Sequence, residues 1–520
     1  MSRLTSKNRK YFRFPGRNII LFISVNLLIF LGISCGTTGD IRDTIIYDKS
    51  SYYYIDFKEY PSDRSRLPIG IFDSGTGGLA VLNDLLGYEL PGGGSELAVS
   101  DSIANGGLRD ESFIFLADLA NMPYGSYALE NNSDLLIEHV IKDVQFLLGN
   151  KYYQSGMTAD FSTDKSQVKA IVIACNTATA YGLDTVRRFL QQAGLDIGVI
   201  GVIDAGAQGA LGAFSQDENG SIAVLATDGT VKSGAYPLTI STVKTKLGLR
   251  GNVQIFQQAG IGIAEAVDEN IDFIDRSAFV PRSGYKGPAD TGSGELKIDL
   301  SILDRYSFDM DNGAMLFEGE KLVPANMQIN SVENYITFHL VSLMETMRNT
   351  EGVEPLKSVV LACTHYPFFE ETFRETLMRL RNYQEEGEYL YRSLISEDLI
   401  IVNPALIVAD QLHHMLDGNN LLNKTGKAKS EFYISVPNLV NRQIVLREDG
   451  SFTYEYKYGR KPGDIQEYVK YVPFSRSSIS ADILNRLSVQ IPPVFDLIVR
   501  FNQDNDKTKY LDENQKISNQ

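Results

Sequence analysis

Eight short apolar runs, most of them separated by stretches with helical spacing, limit what this chain can fold into more than any other feature. They are IGIFD (69–73), SFIFLAD (112–118), KAIVIAC (169–175), DIGVIGV (196–202), GSIAVLAT (220–227), VQIFQQ (253–258), KSVVLAC (357–363) and DLIIVNP (398–404). Runs with no polar alternation are strands buried on both faces. Between them, DTVRRFLQQAG (184–194) and VENYITFHLVSLMETMRN (332–349) place apolar residues at helical intervals. Strand, turn and helix in repetition predict an α/β fold in which a mostly parallel sheet is flanked by helices.

Two of the runs echo each other. KAIVIACNT matches KSVVLACTH at Lys169 and Lys357, Val172 and Val360, Ala174 and Ala362, and Cys175 and Cys363. A thiol at the same place in both strands, followed by a polar pair, predicts two similar lobes with the active site in the cleft between them. The expected organisation is an export segment (1–35), a polar tether (36–66), a first lobe from 67–200 plus about 400–520, and a second lobe from 201–399. Segments 89–107, about 266–330 and 443–459 break the alternation and are expected to be insertions, the first two as surface excursions. The third is expected to be a hairpin turning at Asp449 and Gly450.

The first 35 residues differ from the rest. Arg3, Lys7, Arg9, Lys10, Arg13 and Arg17 precede the apolar run NIILFISVNLLIFLGIS, with no acid among them, which is the pattern of an export signal. LGISC resembles the lipobox of bacterial lipoproteins, making Cys35 a lipidation site; the competing reading is an uncleaved anchor. Both put the body outside the cytoplasm at a membrane, and the body is cytoplasmic only if this segment is not a leader. The net charge of −16 argues against nucleic acid, since no stretch beyond residue 20 supplies the basic surface that phosphates need. A small-molecule partner is expected.

Besides Cys35 the chain has two cysteines, Cys175 and Cys363. An exported protein could join them in a disulfide, and buried cysteines are often inert. Their place at strand C-termini, where α/β sheets collect ligands and helix N-termini favour thiolates, points instead to chemistry. Asn176, Thr177, Thr364 and His365 follow them as hydrogen-bonding neighbours. FDSGTGGLA places Asp73 and Ser74 at a third strand end. Its glycines fit a loose dinucleotide pattern, but the acid expected after a second strand is missing; the turn could equally offer N–H groups to a carboxylate while Asp73 meets an ammonium. ADLANMPYGSY places Asp118, Tyr124 and Gly125 at a fourth strand end.

IGIFDSGTGGLAVL, ADLANMPYGSY, VIACNTATA, GVIDAGA, AVLATDGTVKSGAYP and VLACTHYPFF stand in the order found in glutamate racemases, and from about 67 to 435 the chain resembles that family. The resemblance implies a cofactor-independent isomerase that interconverts L- and D-glutamate, with no metal. Cys175 and Cys363 would be the acid/base thiols on opposite faces of Cα. Asp73, Ser74, Tyr124, Gly125, Asn176, Thr177, Thr364 and His365 would bind the amino acid, with Asp73 and His365 assisting proton movement. Thr227 and Thr230 would lie near the site, as would Asp118. Asp204 stands with Ala205 where relatives often have Glu-Pro. Aspartate racemases usually carry Cys-Thr-Glu at the second thiol, so Thr364 and His365 favour glutamate. Family members are typically cytoplasmic and supply D-glutamate for peptidoglycan, hence cell-wall biogenesis and cell shape; a homodimer is left open. Two other functions are compatible with the sequence: an exported, non-catalytic amino-acid-binding lipoprotein on this fold, or a racemase of the same superfamily with another substrate.

The chemistry these residues suggest is sound on its own terms. Inverting a carbon by proton transfer needs a base on one face and an acid on the other, and thiolate and thiol can fill both roles when held close in a shielded site. Of the remaining histidines, His139 and His339 in helical segments are expected to be structural, and the adjacent His413 and His414 lack the spacing of a metal site.

Overall fold

The computed structural model describes residues 39–88, 107–321, 323–425 and 429–518. The N-terminal segment expected to be an export signal, with Cys35, and almost all of the 89–107 segment lie outside the described residues. Four strands open the fold: β1 (Ile69–Asp73), β2 (Phe113–Ala117), β3 (Ala170–Ile173) and β4 (Gly198–Gly201). β5 (Gly220–Ala226) and β6 (Val253–Ala259) follow, then a hairpin of β7 (Met315–Glu320) and β8 (Val323–Ile329). After β9 (Leu356–Ala362) come the two-residue strands β10 (Gln384–Glu385) and β11 (Glu388–Tyr389), and β12 (Ile395–Val402). β13 (Glu431–Pro437) and β14 (Val469–Pro473) complete the set.

These strands form two main sheets. The first has the order β14-β13-β2-β1-β3-β4 and the second β12-β9-β5-β6. Every neighbouring pair is parallel except β13 with β14 at the edge. Helices flank the sheets, as the alternation of runs required. β1, β2 and β3 are buried along their whole length, which is why they read as unbroken apolar runs. In the second sheet the side chains divide by the two-residue period of a strand. Ala223, Leu225, Val359, Leu361 and Cys363 enter one core, while Ile222, Val224, Ala226, Val360 and Ala362 enter the other.

The echoed strands β3 and β9 are both internal, so each carries its cysteine out of the middle of a sheet. The echoed lysines anchor the opposite ends. Lys169, fully buried, pairs with Glu111 at 2.6 Å and donates to the carbonyls of Ser65 and Leu421, and Lys357 pairs with Glu218.

Two insertions differ from expectation. The 266–330 segment is not only a surface excursion: Ile298, Tyr306, Met315, Met327 and Ile329 are buried against Tyr335 and Phe338 of the helix Val332–Arg348. Its polar clusters hid apolar residues too widely spaced to form one recognisable run. In 443–459 the turn forms, with Leu446 bridged to Phe452 and Gly450 at a φ of +81°, but the hairpin does not continue. Residues Tyr454–Gly459 are a helix whose N-terminus is capped by Thr453, its hydroxyl accepting from the Tyr456 N–H at 3.3 Å. A helical turn brings Tyr454 and Tyr458 onto one face, 4.6 Å apart, and Tyr458 packs on Tyr127 at 4.8 Å.

Candidate active site

Cys175 caps the helix Asn176–Gln192, its sulfur accepting from the Ala178 N–H at 3.4 Å and donating to Ser74 Oγ at 3.6 Å. Cys363 follows β9, with Sγ 3.6 Å from His365 Nδ1. Both are buried free thiols, and both line one cavity of about 680 Å³. Ser74, Tyr124, Gly125, Asn176, Thr177, Thr227, Thr364 and His365 share that lining. The sequence motifs thus converge from strands far apart in the chain. The disulfide that two cysteines would allow does not form: they stand as two separate thiols.

The turn after β1 is built for close approach between the lobes. Asp73, fully buried, accepts from the N–H groups of Gly78 at 2.8 Å and Gly75 at 3.4 Å, and from the hydroxyl of Thr364 at 3.2 Å. A Cβ at Gly77 would lie 2.7 Å from Thr364 Oγ1 and 2.8 Å from His365 Nδ1, so the glycine lets the Thr364 turn rest on the first lobe. The glycines that resemble a nucleotide fingerprint serve this contact. Gly125 and Gly229 meet in the same way, a Cβ at Gly229 falling 2.8 Å from Gly125 Cα.

Thr177, Thr227 and Thr230 form a hydroxyl triangle with edges of 2.7, 3.1 and 3.1 Å, joining the helix after Cys175 to the end of β5. Asn176 Oδ1 accepts from the Tyr236 hydroxyl at 2.8 Å. Thr230 and Asp118 stand behind the lining. Asp118 accepts from the Tyr124 hydroxyl at 2.6 Å and from Asn121, while Asp143 lies 2.7 Å from the same hydroxyl. A phenol has one proton to donate, so one of these buried carboxyls must keep its own. Burial, together with the neighbouring Asp118 charge, pushes Asp143 well up; burial raises Asp118 to about 6 against its hydrogen bonds. Asp204 is not brought to the site. It is exposed in the first turn of the helix Val202–Leu211, whose buried face carries Val202, Ile203 and Ala205.

The two thiols differ in surroundings. Burial, aided by the Asp73 carboxylate, pushes the Cys175 thiol up to about 12, so it rests protonated. Beside Cys363, burial opposes a charge on His365, but the Asp268 carboxylate 2.9 Å from Nε2 outweighs it and raises the imidazole well above its ordinary value. Asp268 in turn is held at about 2: burial would raise it, and His365, Arg486 and the Thr76 hydroxyl together pull it down. No sequence motif marks Asp268, Glu265 or Arg486. The first two lie at the edge of a segment set aside as insertion, and the third in the C-terminal segment beyond the family motifs; only the fold brings them to His365.

His139 and His339 are buried in helices. His139 Nδ1 accepts from the Tyr468 hydroxyl at 2.7 Å, and His339 Nε2 donates to the Ile261 carbonyl at 2.9 Å. Among the described residues no group of three or more histidine, cysteine or acidic side chains is placed to hold a metal ion, and no helix is long and apolar enough to cross a membrane.

No family model matches the chain. Curated relatives do. A glutamate racemase from Oceanobacillus iheyensis is 32% identical over 183 residues, 35% of this chain and 50% of that protein. One from Lactobacillus acidophilus is 25% identical over 366 residues, 70% of this chain and 87% of its own length. The chain spans about half the length of the first of these relatives. Among solved structures, the glutamate racemase isoform RacE1 from Bacillus anthracis aligns with 71% of this chain and 88% of its own at 20% identity and a TM-score of 0.43. By sequence, the chain is similar to curated glutamate racemases over part of its length.

Proposed function

We propose that this protein is a cofactor-independent glutamate racemase in which Cys175 and Cys363 exchange protons with opposite faces of the substrate Cα. The observation that carries this reading is the convergence of two buried, unpaired thiols from different lobes on one cavity. In each direction one sulfur, as thiolate, takes the Cα proton, and the other, as thiol, returns a proton to the opposite face; the two exchange roles in the reverse reaction. His365, kept cationic by Asp268, can donate its Nδ1–H to a Cys363 thiolate. Ser74 is placed to do the same for Cys175.

Loss of the Cα proton spreads negative charge toward the substrate carboxylate. The Asn176 amide and the Thr177 hydroxyl, which line the cavity, are donors that would hold it. Glutamate as substrate rests on the names of the curated relatives and on Thr364 and His365 following the second thiol. The N-terminal segment ending at Cys35 favours membrane attachment outside the cytoplasm, where the enzyme would act on glutamate released from the peptidoglycan wall; a cytoplasmic enzyme would instead supply D-glutamate for its precursors.

The test is Cα exchange in D2O. Either enantiomer should acquire deuterium at Cα as it racemises, with no added cofactor. Cys175→Ser and Cys363→Ser should each reduce racemisation by at least about 10³-fold, since a serine hydroxyl is too weak an acid to supply the thiolate base. Unchanged racemisation in both variants would sink the two-thiol mechanism, and saturable glutamate binding without any exchange would favour the binding-protein alternative.

A further inference from the structure

We propose that Arg486 is a positioning residue for the Cys363 side of the site, fixing Asp268 so that this carboxylate holds His365 with Nδ1 toward the thiol. The inference rests on the reading of Cys363 as a proton-exchanging group. Arg486 lies in the helix Ala481–Gln490, beyond the 67–435 stretch that carries the family motifs. The family's own motifs therefore do not account for it.

The geometry is that of a clamp. Arg486 Nη2 donates to Asp268 Oδ1 at 3.2 Å and to Thr76 Oγ1 at 3.3 Å, and Nη1 donates to the Val267 carbonyl. Thr76 donates to the same Asp268 oxygen at 3.0 Å. The other oxygen, Oδ2, is thereby left to His365 Nε2 at 2.9 Å. The guanidinium also lies over the Phe368 ring at 5.1 Å, just past the Cys363-Thr364-His365 turn. A planar fork reaching two acceptors fixes orientation as well as charge, which a lysine ammonium does not. Side-chain exposures of 13% for Arg486, 5% for Asp268 and 2% for His365 keep water from replacing these contacts.

The charged neighbours sharpen the role. Asp268 faces Arg486 and His365, with the Asp73 and Glu265 carboxylates close enough to repel it. His365 faces Cys363 and Asp268, with the Asp73 and Glu265 carboxylates also near it. On its outer side Arg486 shares a surface depression of about 290 Å³ with Glu269, Arg276 and Asp482. Without the guanidinium, Asp268 Oδ1 has only Thr76 to hold it against the repulsion of the Asp73 and Glu265 carboxylates. It should then turn, release His365 from the sulfur, and leave Cys363 without its cationic partner.

The test compares alkylation of the two thiols by iodoacetamide across pH, read peptide by peptide by mass spectrometry, alongside racemisation. In Arg486→Ala alkylation of Cys363 near neutral pH should slow about tenfold, the scale of losing a neighbouring cation, while that of Cys175 stays fixed. Racemisation should fall about tenfold, as for a weakened acid/base group. Guanidinium in solution, entering through the outer depression, should restore both, and Arg486→Lys should lie between parent and Arg486→Ala. If Arg486→Ala does not fold, Arg486→Lys carries the comparison.

A Cys363 profile unmoved, or moved in step with that of Cys175, overturns the proposal. Alkylation needs no turnover, so the two readings fail separately. A parent protein without racemisation refutes the proposed function, whereas an active parent with unmoved profiles refutes only the role of Arg486.

Discussion

Replacing Gly77 by alanine should separate activity from stability. Gly77 has a φ of −60° and a ψ of −36°, a helical conformation that alanine adopts without strain. The added methyl would nevertheless sit 2.7 Å from Thr364 Oγ1 and 2.8 and 2.9 Å from His365 Nδ1 and Cε1. Ordinary contact needs about 3.5 Å, so the Thr364 turn must withdraw by roughly 0.7 Å. Overpacking of this kind costs about 1–3 kcal/mol, and the lower chain entropy of alanine returns roughly 0.5–1 kcal/mol. The net loss of stability should therefore be small. Catalysis is less forgiving, because a misplacement of about 1 Å can cost about 10²-fold in rate.

Racemisation rate and thermal midpoint should be measured on the same preparation, with Gly87→Ala as the control. Gly87 ends the same helix, and a Cβ there meets nothing within 4 Å. The control should keep its rate and gain up to about 1 kcal/mol. Parental activity in Gly77→Ala would refute the idea that the site depends on how closely the Thr364 turn rests against the first lobe.

Two further outcomes follow from the buried charges. His365, raised above its unfolded value of about 6.5, contributes stability that is full below that pH and lost as pH rises through its folded pKa; Asp268, held at about 2, contributes stability present above about 3.9 and lost as pH falls toward 2. His365→Asn should therefore lower the thermal midpoint most between about pH 4 and 6.5, and a gap to the parent that widened at alkaline pH would contradict this assignment. Tyr124→Phe removes the hydroxyl shared by Asp118 and Asp143 and should cost about 1–3 kcal/mol. Because Asp118 is raised to about 6, the loss should be greater at pH 8 than at pH 5 in denaturant titrations, and an equal loss at both would refute it.

The sheets were legible because a strand buried on both faces has no choice but to be apolar, and the thiols were legible because they end such strands. The pair Cys175 and Cys363 could be found by matching KAIVIAC to KSVVLAC, a local comparison that needs no fold. Asp268 and Arg486 follow no such pattern, since a carboxylate and a guanidinium far apart in sequence become partners only when a C-terminal helix packs beside the Thr364 turn. Asp204 shows the converse. Its motif sits at a strand end, but the helix it enters turns its face toward solvent. At Tyr454–Gly459 alternation suggested a strand, whereas the Thr453 cap and tyrosine packing made a helix, a tertiary decision overriding a local pattern.

The strand order of the first sheet also sets a schedule. β13 lies beside β2, and the Phe113 N–H donates to Ser430 Oγ across 317 positions. As the chain is synthesised from its N-terminus, every strand of the second sheet emerges before the first sheet can gain β13 and β14. The lobe that begins first is therefore finished last, and closing so long a loop makes this a slow, late step. Until then β2 has an open edge, and the sheet that carries Cys175 waits on residues made after Cys363. The cavity that both thiols line, with Phe452, Tyr454 and Tyr458 in its wall, is thus complete only when nearly the whole chain is.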